Sequence, residues 1–262
     1  AQIFTGLRQR RHHRIFKATL EGSLQAPLYS HHLSGKSIAQ HLLEWLFSAP
    51  NDVSLDSFSA EFFEAGTDNK RHLGLRPTRG IISGNAETGS LSLTLDLRGK
   101  EEQGGVITPS LVPTSPVPTE ILFKDCLFTI DGQAVSLQSF ELTINNNLQI
   151  YHNNSYWPSL IVAGTREVDY RFSLFKTDNT YDLMRRGAAS ERPASLVLKG
   201  AHNGTGPSGN FTTITFDFPR IALRDADDTA GLNDLVGQNI DTVVLKPNTT
   251  ANEVNLTFGT TS

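Results

Sequence analysis

This chain predicts an all-β fold carrying one or two flanking helices. Three observations predict it: short segments of apolar/polar alternation run almost end to end, turn chemistry separates them, and no β-α-β alternation appears. A repeat adds detail. Val53-Ser54-Leu55-Asp56-Ser57-Phe58 returns as Val135-Ser136-Leu137-Gln138-Ser139-Phe140. Each copy runs on into an alternating stretch, a proline (Pro77 or Pro158), a glycine-ended apolar pair (Ile81-Ile82-Ser83-Gly84 or Ile161-Val162-Ala163-Gly164) and a further amphipathic strand. Two related β units in one polypeptide are the expectation, with Phe58 equivalent to Phe140.

Taken in order, residues 1–14 form a basic arm with Arg8, Arg10, Arg11 and Arg14. It lacks the apolar run of a secretory signal, and no stretch approaches the ~20 apolar residues of a spanning helix. A first unit covers 15–100. Its opening strand, 15–25, alternates weakly. The stretch 37–47 places Ile38, His41, Leu42, Trp45 and Leu46 at helical spacing, with Ser34 or Ser37 as cap and Pro50-Asn51 as terminator. Strands follow at about 53–64, 79–85 and 90–98. In the last, Leu91, Leu93, Leu95 and Leu97 share one face, opposite Ser92, Thr94 and Asp96.

Residues 101–118 hold Gly104, Gly105, Pro109, Pro113, Pro116 and Pro118, which reads as a linker or stacking loop. A second unit, 119–262, is expected to place strands at about 120–130, 135–145, 160–164, 166–176, 195–200, 211–223, 241–246 and 253–259. A short helix is expected over Thr180–Arg186 and a surface loop over Asp225–Gln238. The two units can also be interleaved.

Chemical motifs are sparse. Ser34-Gly35-Lys36-Ser37 ends like a phosphate loop, but Ser30 stands where the first glycine belongs. Asp225, Asp227 and Asp228 suggest a calcium loop, yet Ala230 and Val236 occupy the positions that need Gly and Glu. His12-His13 and His31-His32 lack partners at ligand spacing. Glu61 with Glu64, and Glu101 with Glu102, read as charged surface. The expectation is therefore no catalytic residue, no cofactor-binding residue and no metal ligand. Cys126, flanked by Phe123 and Phe128, reads as a structural thiol. A net charge of −4 argues against general nucleic-acid affinity.

The run from Pro118 to Phe175 carries a resemblance. Its core, Ser136 to Leu148 with Asn145-Asn146-Asn147, followed by Ile161, Gly164, Arg166 and Val168, resembles the tail tube proteins of long-tailed bacteriophages. The earlier copy, Ser54 to Leu93, is similar to the corresponding segment of that family. The resemblance implies two related β-sandwich or half-barrel tube domains that complete a β-barrel on ring assembly. It implies a structural virion protein of the phage tail, assembled in the host cytoplasm, whose stacked rings conduct DNA at ejection. Its implied partner is itself, as homotrimeric pseudo-hexameric rings with a homohexamer second, together with tape-measure and tail-end proteins. Double-stranded DNA would pass without specific binding, and no membrane is involved. A distal-tail or head–tail joining protein is the nearest alternative. A carbohydrate-binding module using Tyr151, Tyr156 and Trp157 is the alternative from another class.

Overall fold

The computed structural model describes residues 20–29, 38–47, 57–62, 70–104, 120–175, 191–203, 210–230, 236–247 and 252–261. The arm at 1–14, residues 105–118 of the linker and the helix expected at Thr180–Arg186 lie outside these. Fifteen strands and one α-helix are described. The first stretch contains β1 (Leu20–Pro27), α1 (Ile38–Leu46), β2 (Phe58–Phe62), β3 (Lys70–Asn85), β4 (Leu91–Gly99) and β5 (Glu101–Gly104). After a single 3-10 turn at Phe123–Asp125 come β6 (Cys126–Ile130), β7 (Gln133–Val135), β8 (Ser139–Asn145), β9 (Gln149–Tyr151), β10 (Leu160–Val162) and β11 (Glu167–Phe175). The chain then forms β12 (Arg192–Asn203), β13 (Asn210–Ala230), β14 (Val236–Val244) and β15 (Asn255–Thr261).

Thirteen strands join one antiparallel sheet. Its path is β1-β4-β3-β8-β11-β14-β13-β12-β6-β7, with β2 and β5 on β3 and β15 on β13. The sheet folds over on itself. Phe128 of β6 lies 4.9 Å from Tyr170 and 5.1 Å from Phe172 of β11, although three strands separate β6 from β11 along the path. The crossing is made by β13, which pairs β15 up to Asp217 and β12 in unbroken register up to Phe218, then shifts register before Ile221, where it meets Arg192 and its pairing with β14 begins. Pro219 sits between these two pairings. A residue with no N–H to give to a ladder marks the bend.

Alternation decides which side each residue takes. Leu91, Leu93, Leu95 and Leu97 are all at or below 7% exposed, and Phe140, Leu142 and Ile144 of β8 join them in the core. Fully burying each leucine contributes roughly 1.5–3 kcal/mol, so a register slip of one residue would forfeit the whole face. Helix α1 forms where the apolar spacing places it and buries Ala39, Leu43, Trp45 and Leu46, while His41 of the expected stripe is exposed. Trp45 meets Phe58 edge-on at 3.6 Å between centroids.

Three expectations need correction. The first concerns the interval between the strands expected at about 53–64 and 79–85, together with the linker beginning at Glu101. Residues 70–79 belong to β3, and Glu101–Gly104 are a strand paired with Lys70–Leu73. Gly74, at φ 62, lies just beyond that pairing, and β3 is bulged between Pro77 and Arg79, so breakers that read as loop instead bend one long strand. The second concerns Asp225–Gln238. Residues 225–230 and 236–238 are paired strand, Asp225 against Asp241 and Asp228 against Gln238.

The third concerns the repeat. Phe58 pairs with Leu75 beside the main sheet, whereas Phe140 lies between Gly84 and Phe172 near its centre. Phe58 and Phe140 therefore occupy different places in the pairing scheme. What joins the two stretches instead is the β3–β8 ladder, with Ile82 opposite Leu142, and one core that draws on both.

Candidate assembly surfaces

The sheet has a polar face as ordered as its apolar one. Cross-strand register aligns Ser92, Ser83, Glu141, Arg171, Asp241 and Asp225 in one row over six strands. Beside it run Thr94, Ile81, Thr143, Asp169 and Val243, then Asp96, Arg79, Asn145 and Glu167. Hydroxyls pair across strands, Ser83 with Ser92 at 2.9 Å and Ser139 with Ser173 at 2.6 Å. Arg171 bonds Asp241 at 3.2 Å, and Arg224 reaches Asp169 at 3.2 Å and Asp241 at 3.8 Å. The first row, with Ser139 and Ser173, lines an open groove of about 590 Å³.

The carboxylates Glu21, Asp96, Glu141, Glu167, Asp169, Asp225 and Asp241 outnumber the cations Arg79, Arg98, Arg171 and Arg224 on this face. Exposed ion pairs of this kind contribute little stability each. Their consequence is a wide, wetted, net-acidic surface that repels phosphate.

One end of the sheet is held by the residues that carry the resemblance. Asn146 is buried, and its Nδ2 donates to the Leu46 and Pro77 carbonyls, both at 3.1 Å. The Leu46 carbonyl is among the last of α1, which have no partner inside the helix, so the asparagine caps it. The Arg166 Nε donates to Asn146 Oδ1 at 3.1 Å, and its guanidinium lies 5.8 Å from the Phe47 ring centre. Burial lowers the affinity of Arg166 for its proton, with Glu253 acting in the opposite direction. Asn147 takes φ 46, and its Nδ2 donates to the Thr165 carbonyl at 2.8 Å. Gly164 fits because a Cβ there would stand 2.5 Å from the Asn147 carbonyl oxygen.

Outside the large sheet, β9 and β10 form a hairpin between β8 and β11. Leu148 and Ile161 give it a small core of its own. Tyr151, Tyr156 and Leu160 are exposed at 50%, 42% and 44%, while Trp157 is half-buried. Strand β1 is uncovered as well. It pairs with β4 alone among the described residues, and Glu21 to Gln25 are exposed.

No enzymatic constellation emerges among the described residues, and no group of three or more His, Cys, Asp or Glu side chains is placed to hold a metal. Asp225, Asp227 and Asp228 lie along β13. His12, His13, His31, His32, Glu64 and the Ser34–Ser37 segment are outside the described residues. Glu101 and Glu102 sit on β5, where Glu102 pairs with Lys70 at 3.6 Å and His72 at 3.4 Å. Cys126 is half-buried. Its thiol contacts the Leu122 carbonyl oxygen at 3.7 Å and is pushed up to about 12 by burial and by Asp125. No described helix is long and apolar enough to cross a membrane.

Sequence reading missed the polar rows and the uncovered edge, because register between distant strands is not written in local alternation. It found the Asn146 and Arg166 motif without its purpose. Residues 2–256, nearly the whole chain, match the family model described as phage tail tube protein. None of the curated proteins compared with the chain matches it.

Proposed function

The chain belongs to the phage tail tube protein family, and from that premise we propose that it assembles into stacked rings forming the conduit for DNA ejection. It is a structural protein of the virion tail, and the proposed function is mechanical, with no catalytic step. The observation that carries the assembly is the unfinished edge of the sheet. Among the described residues nothing pairs the outer edge of strand β1, whose Glu21 to Gln25 are exposed, and pairing such edges around a ring removes an aggregation liability.

In this reading the polar rows across β4, β3, β8, β11 and β14 line the channel. A duplex must slide through it and not stick. Excess carboxylate repels the backbone, while the serine and threonine hydroxyls keep the wall wetted. Each unit supplies an antiparallel pair to this wall, β4-β3 from 15–100 and β8-β11 from 119–262, meeting at Ile82 and Leu142. One copy then contributes two arcs, so three copies close a pseudo-hexameric ring; six copies is the second reading. Tape-measure and tail-end proteins are the further partners, and assembly takes place in the host cytoplasm.

Negative-stain microscopy of the purified chain tests the proposal. Tubes, with rings as their repeating unit, are expected. Rings that never stack would point to a distal-tail or joining protein, and monomers at every concentration would overturn self-assembly.

A further inference from the structure

Between Glu141 and Arg166 the chain carries no Asp, Glu, Lys or Arg, although such residues are 19% of the whole. This uncharged run encloses the β9–β10 hairpin, and at the hairpin Tyr151, Tyr156 and Leu160 stand in solvent. Exposed aromatic and aliphatic groups on an uncharged, amide-rich turn are the composition of a contact surface. The turn is also held by hydrogen bonds. Ser159 N donates to the Tyr151 carbonyl at 2.9 Å, Asn153 accepts from Ser155 N at 3.0 Å, and the Arg76 guanidinium donates to the Ile161 carbonyl from within the protein body.

We infer that this hairpin is the knob by which one copy of the chain docks onto a second copy in the neighbouring ring. The inference rests on the tube reading and deepens it. Three observations select a second copy. Identical chains of net charge −4 repel one another, and a contact free of formal charge is one that repulsion does not oppose. The hairpin leaves the sheet at paired strand ends, where Asn145 meets Glu167, so it sits at an end of the strands, while the outer edge of β1 lies at the side of the sheet. If edges close the ring, strand ends face the rings above and below. Its preformed structure means little chain entropy is lost on docking.

The test uses the full chain with Tyr151→Ser, Tyr156→Ser and Leu160→Ser combined, and separately Asn154→Glu, which sets one charge in the uncharged turn. All four positions are exposed. Melting by circular dichroism should stay within about 3 °C of wild type, as expected for surface positions. Under the microscope and by sedimentation, both variants should give rings and at least a ten-fold lower yield of tubes. Should the triple variant fail to fold, Asn154→Glu decides alone.

Tubes of unchanged length and yield from folded variants, beside wild-type tubes, overturn this inference and leave the tube reading standing. Wild-type protein that stays monomeric overturns both. The other occupant for such a surface is a neutral saccharide. A shift of tryptophan fluorescence by cellopentaose, lost in the triple variant while its tubes form normally, assigns the hairpin to sugar and overturns docking.

Discussion

The Arg166 Nε donates to Asn146 Oδ1 at 3.1 Å, and Asn146 couples this arginine to the end of a helix that lies 100 residues before the asparagine in sequence. Leu46 and Pro77 come from the first unit, Asn146 and Arg166 from the second. The pair therefore splices the two stretches at the end of their shared sheet. Replacing Asn146 with Ala removes donors from two buried carbonyls and the acceptor from a buried guanidinium. Unsatisfied buried groups cost about 1–3 kcal/mol each, and partial rearrangement leaves a net loss of about 3 kcal/mol. Urea unfolding should show the free energy of unfolding falling by that amount. Asn146→Asp keeps the arginine contact and loses the two donors; if it is as stable as wild type, the helix cap contributes nothing.

Gly164 makes a second prediction at the same junction. A methyl group there would approach the Asn147 carbonyl oxygen to 2.5 Å, and that oxygen belongs to backbone already held at a positive φ. Gly164→Ala should cost about 2 kcal/mol or more, since strained backbone must shift to admit it. Gly22→Ala is the control. Nothing lies within 4 Å of its added carbon, so the same calorimetric scan should barely change.

Local alternation made β4, β6, β8 and β11 legible, because one buried face leaves a period-two signature that a single sequence displays. The helix was legible for the same reason: Trp45 and Leu46 of the expected stripe are buried, although Leu43 lies deeper than the expected Leu42. The N-terminal half of β3 and the tip of β13 were not. Their glycine, proline and aspartate content reads as loop, yet backbone pairing with β5 and β14 holds them extended. The hexamer repeat misled for a related reason. Similar local sequence makes similar strands, but Phe58 and Phe140 find different partners because pairing is decided by the rest of the sheet. The assembly surfaces were legible only as residue types. Which hydroxyls and carboxylates share a row follows from ladder register, and the exposure of β1 follows from its place at the end of the path.

Cys126 gives a pH prediction. Burial, reinforced by Asp125, raises its thiol from an ordinary 9.0 to about 12. The unfolded chain releases this proton near pH 9, the folded chain only near pH 12, so across that window the unfolded state binds fewer protons and stability falls as pH rises. The contribution is complete below pH 9. Tyr170, wholly buried and also raised, acts in the same direction at higher pH. Denaturation midpoints should decline between pH 8 and pH 11 in wild type and decline less in Cys126→Ala. Equal slopes would show that the thiol is as free to ionise in the fold as outside it. At pH 8 the folded protein should also react with a thiol reagent far more slowly than the unfolded chain.

Leu24 makes the last prediction. It lies directly opposite Leu95, so the pleat sends both side chains to the apolar face of the sheet; yet Leu95 is 0% exposed and Leu24 39%. The core thus reaches β1 at Leu20 and thins out at Leu24, where β1 presents apolar surface beside a backbone edge that no described residue pairs. A neighbouring copy pairing with β1 would cover both. Lysine is a charge that edge strands use to block such pairing. Leu24→Lys should leave folding intact, because its long side chain can reach water from an already exposed position, and the melting temperature should change by no more than a few degrees. Assembly is where it should fail, with the variant sedimenting as a folded monomer under conditions in which wild type forms rings. Rings at wild-type yield from Leu24→Lys would mean that the subunits join elsewhere, and the exposed leucine would then need another partner.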